Sequence, residues 1–365
     1  MLTRRALTLA GLASPLAGAA SIDAATTSTG PPPTALGWPR DYGAHQASKI
    51  EWWYLTGHLN GAVGEYGFQL TFFRAATGIA GAGASRFAAS ELVFAHAAVS
   101  DIAGARLRHD QRIARSGFGI ATAASDDTRV VLRDWRLERG VAAGRSRYRA
   151  HAGSDVAGFA FALQLDATQP VLLQGVDGLS RKGPDPAQSS RYYSEPQLTA
   201  RGSLAVGGAP AQAVGGRAWL DHEWSDSFLD SNAVGWDWIG MNLDDGAALT
   251  AFRLRRADGT KLWAGGSYRA ADGMSRNFAA GDVAFVAGRT WQSPASKAVY
   301  PVEWSVATPA GTFVVKAMLD DQELDSRAST GAIYWEGLSR LFGSDGRELG
   351  RGYLEMTGYA ARLRL

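Results

Sequence analysis

The chain has 365 residues, which is enough for two domains that each bury a core of their own. Its 44 Gly, 12 Trp, 11 Tyr and 14 Phe, with only 20% charged residues, favour many short strands joined by tight turns. A formal net charge of +2 gives no electrostatic support for a nucleic-acid partner, and the absence of cysteine excludes disulfides and thiol chemistry. An all-β protein is therefore expected.

The first residues have the features of an export signal. Arg4 and Arg5 form a twin arginine, and a mildly apolar stretch rich in Ala, Gly and Leu ends in an Ala-Gly-Ala triplet at Ala19. We predict a twin-arginine signal over residues 1–19, cleaved near Ala19, and a flexible leader over residues 20–35. A frayed terminus is the alternative. No apolar run of about 18 residues follows, so we predict no membrane span after the signal and a periplasmic or otherwise exported protein.

The same pattern of three strands occurs twice in the rest of the chain. Segments rich in aromatic and β-branched residues flank turns that contain glycine, which predicts hairpins. The three segments lie at 51–59, 66–74 and 91–101 in the first copy and at 236–243, 248–255 and 261–272 in the second. Such self-similarity, at a spacing of about 180 residues, predicts a duplicated domain.

The boundary between the two domains is expected near residue 206, in the glycine-containing stretch 202–208. The first domain would then cover residues 36–206 and the second residues 207–365. An antiparallel sheet of many strands must close or shield its edges, so each half is expected to be an antiparallel β-barrel with room for side chains and one small ligand. One short helix is expected within 326–341.

Several motifs in one order span nearly the whole chain. They are RDYGAH at 40–45, EWWYLTGHL at 51–59, GVDGLSRKG at 175–183, YYSEP at 192–196, WLDHEW at 219–224, YWEG at 334–337 and GYLEMTGY at 352–359. On these motifs the chain resembles the carotenoid 1,2-hydratase and AttH-type family from about residue 38 to residue 365. The resemblance implies two tandem lipocalin-like antiparallel β-barrels. It also implies hydration of a lipophilic substrate in one branch, and association with ABC transporters in the other.

The resemblance to the hydratase branch includes one catalytic motif and lacks another. In that branch, the His and Trp of an Asp-His-x-Trp motif act together with a Tyr-x-Asp pair on a nearby strand. His222 and Trp224 match the first motif. The strand expected to carry the pair reads Leu-Thr-Ala-Phe-Arg at 249–253 and contains neither Tyr nor Asp.

Acidic and aromatic residues occur together around the first motif. Hydration of an unactivated alkene needs a strong acid, which a carboxyl group kept neutral by burial can supply, and aromatic faces that stabilise a carbocation. The predicted catalytic residues are Asp221 or Asp237 as the acid, His222 as the proton partner and water-positioning group, and Trp224 with Trp236 as the shelter of the cation. The predicted substrate-binding residues are Trp53, His58, His96, Glu223, Trp236 and Trp238.

Strand alternation places Asp221 and Glu223 on one face of their strand and His222 and Trp224 on the other. Only one of these pairs can point into a barrel, and we expect it to be His222 and Trp224. The alternative is that the segment is a buried polar cluster that joins the two domains. Glu51 lies on the same face of its strand as Trp53. The alternative to a catalytic role for Glu51 is likewise structural, namely holding the two domains together.

Two functions from different classes remain open, each with a lipophilic small molecule as the partner. His45, His58, His96 and His222 lack the spacing of common metal sites, so neither a metal nor a cofactor is predicted. The first function is a cofactor-independent hydratase or isomerase. The second is an exported, non-catalytic carrier of a hydrophobic ligand, associated with an ABC transporter. A third reading, barrels filled by side chains, is less consistent with 12 Trp.

Overall fold

The structure is a computed structural model that describes residues 35–79, 88–226 and 229–363. The predicted export signal at 1–19, its cleavage position and the leader up to residue 34 lie outside the described residues. Within them, no helix is both long and apolar enough to cross a membrane. The regular secondary structure of the described residues consists of β-strands and one short 3-10 helix, Arg40–Tyr42.

Two sheets of antiparallel strands and one separate pair account for all the strands described. The first thirteen strands are β1 (Ile50–Gly61), β2 (Gly64–Ala76), β3 (Glu91–Asp101), β4 (Arg106–Arg115), β5 (Ala121–Ala123), β6 (Arg129–Leu132), β7 (Trp135–Ala142), β8 (Arg145–Ser154), β9 (Phe159–Asp166), β10 (Leu172–Leu173), β11 (Leu179–Arg181), β12 (Ser189–Val206) and β13 (Gln212–Ser225).

The second half of the chain supplies the remaining strands. They are β14 (Gly235–Leu243), β15 (Ala248–Arg255), β16 (Lys261–Arg269), β17 (Ser275–Phe278), β18 (Ala284–Ala287), β19 (Thr290–Gln292), β20 (Val299–Pro301), β21 (Glu303–Thr308), β22 (Gly311–Ala317), β23 (Glu323–Ser326), β24 (Ala332–Phe342) and β25 (Glu348–Met356).

The first sheet nearly closes into a barrel. Its strand order is β4-β3-β2-β1-β13-β12-β9-β8-β7-β6-β5, with β10 and β11 paired to β12. The sheet curls until β3 and β4 contact β5 and β6. Alternate residues point inward, as the strand period of two requires, and they form a core around Trp53, Trp135, Tyr148, Phe161 and Tyr193. This core makes the first barrel an independent hydrophobic unit.

The second sheet has the order β17-β16-β15-β14-β25-β24-β22-β21-β18, with β23 paired to β24, and β19 and β20 form the separate pair. Its core surrounds Ile239, Met241, Trp304, Trp335 and Leu354. The fold is therefore all-β, with two tandem lipocalin-like antiparallel β-barrels, as the sequence predicts.

Both predicted hairpins are present, as β1 with β2 and β14 with β15, and the predicted third strands are β3 and β16. The predicted helix within 326–341 is wrong. The residues of β24 pair with β22, β23 and β25, and pairing on both edges outweighs the local helical pattern.

The chain passes from one sheet to the other between Ser225 and Gly235, beyond the predicted boundary at residue 206. The strands β12 and β13 are neighbours in the first sheet, so the stretch 202–208 is part of a hairpin there. Gly207 and Gly208 have φ values of 66° and 82°, a left-handed conformation that suits the tight turn between these strands.

The two barrels pack against each other through strands that are buried on both faces. In β1 one face belongs to the first core, whereas Trp52 and Tyr54 on the other face lie against the second sheet. Tyr54, Trp219, Trp238, Phe252 and Tyr353 form a hydrophobic cluster shared by the two sheets. This packing positions the candidate site.

Candidate functional site

A cavity of about 160 Å³ lies between the two barrels. The strands β1, β2, β3, β12 and β13 line it from the first sheet, and β14, β15, β24 and β25 from the second. Its aromatic lining consists of Trp52, Tyr54, Phe73, Tyr192, Trp236, Trp238, Phe252 and Tyr334. A largely apolar cavity of this kind is typical of sites for small lipophilic ligands.

Four carboxyl groups project into this cavity. Asp221 and Glu223 are alternate residues of β13, so they point to the same side of the sheet. Glu336 of β24 and Glu355 of β25 are directly opposite each other in the ladder between these strands. Two acids of the first barrel therefore face two acids of the second across an aromatic space.

Glu336 and Glu355 form a buried pair of acids. Burial and the neighbouring Glu355 raise the pKa of Glu336 well above its usual value. Burial, with Asp221 and Glu223 nearby, raises the pKa of Glu355 to about 7. Like charges this close and this dry cannot both ionise readily, so the pair holds at least one proton at neutral pH.

Asp221 is the third acid with a raised pKa. Burial raises its pKa to about 7 against the opposing effect of three hydrogen bonds. Oδ1 accepts from Ser194 Oγ at 2.5 Å and from Trp219 Nε1 at 2.7 Å, and Oδ2 accepts from the Tyr192 hydroxyl at 2.8 Å. These donors fix the orientation of the Asp221 carboxyl group.

Glu223 differs because it has a cationic partner. Lys182 Nζ lies 2.9 Å from Glu223 Oε1, and Ser190 Oγ donates to the same oxygen. The ammonium group also lies over the rings of Tyr192 and Phe252, 4.7 Å and 4.6 Å from their centroids. The motif at 175–183 thus contributes a cation to the cavity wall.

Three polar atoms of the lining have no hydrogen-bond partner within the described structure. They are the Tyr54 hydroxyl, Gln69 Oε1 and Glu336 Oε1. Tyr54 lies close to Glu336, but the two make no well-aligned hydrogen bond. A buried polar atom without a partner is unfavourable, so these atoms mark a position where a ligand or water would bind.

A chain of hydrogen bonds positions Glu336. Gln69 Nε2 donates to Glu336 Oε2 at 2.8 Å and lies 3.2 Å from the Tyr334 hydroxyl. That hydroxyl is 2.8 Å from His96 Nδ1, and His96 Nε2 is 2.9 Å from Ser329 Oγ. Burial lowers the pKa of His96 to about 3, so its ring is neutral. Tyr334 then donates to Nδ1, which fixes the tautomer of His96.

His222 and Trp224 lie on the opposite face of β13, inside the first barrel, as strand alternation predicts. His222 Nε2 is 2.8 Å from Glu51 Oε1, and its ring stacks on Trp53 at 4.6 Å. Trp224 stacks on His45 at 3.6 Å. Neither residue lines the cavity, which is on the face of Asp221 and Glu223.

Glu51 is the centre of a polar network within the first barrel. It accepts from Arg74 Nε at 2.9 Å and contacts His45 Nδ1 at 2.7 Å as well as His222. Burial alone would raise the pKa of Glu51, but hydrogen bonds from His222 and His45 hold it well below the usual value. The network joins β1, β2 and β13 to the segment that precedes β1.

The ligand atoms of His45, Glu51 and His222 all lie within 4.8 Å of one another, so these three residues could hold a metal ion. In the structure, the Glu51 carboxylate contacts both imidazoles and the Arg74 guanidinium. A cation there would have to replace these hydrogen bonds next to a positive charge.

Asp237 faces the interior of the second barrel. Its Oδ2 lies 2.7 Å from Arg253 Nε and 3.0 Å from Arg255 Nε, and its Oδ1 accepts from the Tyr359 hydroxyl at 2.8 Å. Asp237 is therefore a buried, ion-paired carboxylate outside the cavity.

The other predicted residues divide between the cavity and its surroundings. His96, Glu223, Trp236 and Trp238 line the cavity. Trp53 lies in the first core, where Nε1 donates to the Tyr42 carbonyl at 3.3 Å. His58 lies outside the lining; burial, with Arg351 and Arg217 nearby, lowers its pKa to about 4.

Sequence analysis did not select several residues of the cavity. They are Tyr54, Gln69, Lys182, Tyr192, Glu336 and Glu355. All but Gln69 belong to the quoted family motifs. For Glu336 and Glu355 the sequence did contain a signal, which is a carboxyl group within the otherwise apolar YWEG and GYLEM segments. Charged residues are almost never fully buried without a partner, so a glutamate in such a strand indicates a special role.

Comparisons with known proteins agree with this architecture. A crystal structure provisionally assigned as an AttH, from Nitrosomonas europaea, shares 46% identity with a TM-score of 0.82, covering 90% of this chain and 98% of that one. Kievitone hydratase from Nectria haematococca shares 15% identity with a TM-score of 0.67, covering 90% and 94% of the two chains, which shows a common, hydratase-like fold. A search of curated proteins gives no match. The AttH-like family model matches residues 29–359, and the chain therefore belongs to the AttH-like family.

Proposed function

We propose that the protein is a cofactor-independent hydratase or isomerase that acts on a lipophilic alkene in the cavity between its barrels. The observation that carries the proposal is the buried pair Glu336 and Glu355, which retains a proton at neutral pH within an aromatic cavity. The fold shared with kievitone hydratase is consistent with the same class of reaction.

The first step is protonation of the alkene. The O–H bond of the protonated member of the Glu336–Glu355 pair breaks, and a C–H bond forms with the electrons of the C=C bond. This leaves a carbocation on the neighbouring carbon. The aromatic rings of Trp52, Trp236 and Trp238 line the cavity and can stabilise this cation, and the newly formed carboxylate lies nearby.

The second step determines whether the enzyme is a hydratase or an isomerase. In hydration, a water molecule held by the Tyr54 hydroxyl, Gln69 Oε1 and Glu336 Oε1 forms a C–O bond with the cation. That water then loses a proton to a carboxylate, which restores the acid. In isomerisation, a carboxylate instead removes a proton from the other neighbouring carbon. Asp221, with its orientation fixed, is the second acid–base group of this scheme.

The roles predicted from sequence change in this proposal. Asp221 remains an acid, whereas Asp237 has no step because it is ion-paired inside the second barrel. His222 and Trp224 support the first barrel from its inner face. Glu336 and Glu355 occupy the acid role that the missing Tyr-x-Asp pair leaves open.

The test is to incubate the protein with a lipid extract of the cell envelope in water enriched in heavy oxygen, and to analyse the lipids by mass spectrometry. A lipid that gains one labelled water supports the hydratase, and a product that gains deuterium on carbon in heavy-hydrogen water without gaining a water supports the isomerase. Glu336→Gln and Glu355→Gln should abolish the product. Glu195→Gln is the matched control, since Glu195 is equally buried but lies in the first barrel, where it bonds Ser146 and Tyr148.

The second candidate is a carrier of a hydrophobic ligand, favoured by the largely apolar lining of the same cavity. Recovery of a bound but chemically unchanged lipid, in equal amounts from the native protein and from Glu336→Gln, would establish the carrier and overturn the proposed enzyme activity.

Whether the protein is an enzyme or a carrier, we propose that residues 1–19 direct export to the periplasm and that an ABC transporter is a partner. Amino-terminal sequencing of the periplasmic form should show a chain that begins near Ala20.

A further inference from the structure

We propose that the cavity between the barrels selects lipophilic molecules that carry a protonated amine and rejects the same molecules when they carry a carboxylate. The proposal rests on the proposed function in one respect, namely that this cavity is the ligand site. It goes beyond that function because it predicts the charge of the ligand without reference to any reaction.

The balance of charged groups around the cavity is acidic. Asp221, Glu223, Glu336 and Glu355 line it, and in the described part of the chain Lys182 is the one cationic side chain of the lining. Its ammonium group is already paired with Glu223 at 2.9 Å. An entering anion would therefore meet three further acids and no free cation, which is unfavourable for it. An ammonium group can instead replace the proton that the Glu336–Glu355 pair holds and form an ion pair with the carboxylate left behind.

The open hydrogen-bonding positions favour a donor. Gln69 Oε1 is an acceptor without a partner, and Glu336 Oε1, also without a partner, becomes a second acceptor when an ammonium group takes the place of the proton held by the Glu336–Glu355 pair; both side chains are only 2% exposed. An ammonium group carries N–H donors and no acceptor, whereas a carboxylate carries acceptors only. An ammonium group would donate hydrogen bonds to these two oxygens, whereas a carboxylate would place its own oxygens against them.

The aromatic walls act in the same direction. A cation over the face of Trp, Tyr or Phe is attracted by the ring quadrupole, and more strongly when water is excluded. Lys182 already shows this contact, with its ammonium group over Tyr192 and Phe252. The rings of Trp52, Trp236 and Trp238 offer the same environment to a ligand.

The experiment compares three ligands of equal chain length, octylamine, octanol and octanoate, by calorimetric titration of the whole protein near pH 7. We expect octylamine to bind at least about tenfold more tightly than octanol, and octanoate to show no measurable binding. Equal affinity for the three, tighter binding of octanoate, or binding of none of them would overturn the inference.

Variants locate the effect. Glu336→Gln should reduce the preference for octylamine over octanol to nearly one, while Glu195→Gln should leave it unchanged. Asp221→Asn provides a second neutralised acid if Glu336→Gln does not fold. A preference that survives in both Glu336→Gln and Asp221→Asn would refute the role of these acids. If the native protein prefers octylamine but turns over no alkene, the proposed reaction alone is rejected. If it turns over an alkene but does not prefer octylamine, the ligand class alone is rejected.

Discussion

Replacement of Glu355 by Gln should make the protein more stable above neutral pH. The pKa of Glu355 is raised from its ordinary value of 4.5 to about 7 because the ionised form is buried beside other acids. The folded state therefore holds a proton that the unfolded state releases between these pH values. Protonation supports the fold fully below about pH 4.5, and this support is lost as the pH rises through about 7.

The size of the effect follows from the shift in pKa. At about 1.4 kcal/mol per pH unit, a shift from 4.5 to about 7 corresponds to about 3 kcal/mol of unfolding free energy. Gln resembles the protonated carboxyl group, so the variant does not undergo this loss. The two proteins should have similar stability near pH 5, and the variant should gain up to about 3 kcal/mol by about pH 9.

Urea unfolding, followed by tryptophan fluorescence across this pH range, measures the difference. The matched control is Asp237→Asn, which removes a buried carboxylate that is ion-paired with Arg253 and Arg255 and should destabilise at every pH in the range. If Glu355→Gln destabilises by the same amount throughout, then Glu355 is ionised in the folded protein. The acid assignment would then be refuted.

Three other predictions concern different parts of the molecule. Turnover of an alkene should fall about tenfold for each pH unit above about 7, because the reaction needs a protonated acid with a pKa raised to about 7, and a rise with pH in the rate profile would contradict this. Arg74→Ala should lower the unfolding free energy by about 3–5 kcal/mol in urea titrations, since it leaves Glu51 buried without its guanidinium partner, whereas the exposed Arg327→Ala should have no measurable effect. Gly240→Ala should weaken ligand binding and lower the unfolding free energy by about 1–3 kcal/mol, because an added Cβ collides with the Trp238 ring at the cavity wall and the ring must move. Gly140→Ala, in open space, is its control, and unchanged ligand affinity in Gly240→Ala would contradict the prediction.

The order of strands within each hairpin could be predicted from the sequence. Turn glycines, aromatic content and the repeated motif were sufficient for β1 with β2 and for β14 with β15, because neighbouring antiparallel strands need only a short turn. The alternation of Asp221 and Glu223 against His222 and Trp224 was also predictable, since it is a property of a single strand. The helix predicted within 326–341 failed because β24 has pairing partners on both edges, some of them distant in the chain.

The sequence by itself therefore determined the all-β class, the duplication and which side chains share a face of a strand, because these depend on local patterns. Only the tertiary structure decided which face of β13 meets the cavity, since both faces are buried and local alternation does not distinguish a core from an interface. It also brought Glu336 and Glu355 to the same space as Asp221, across two sheets. Acids so far apart in sequence acquire a raised pKa only when packing removes the water around them.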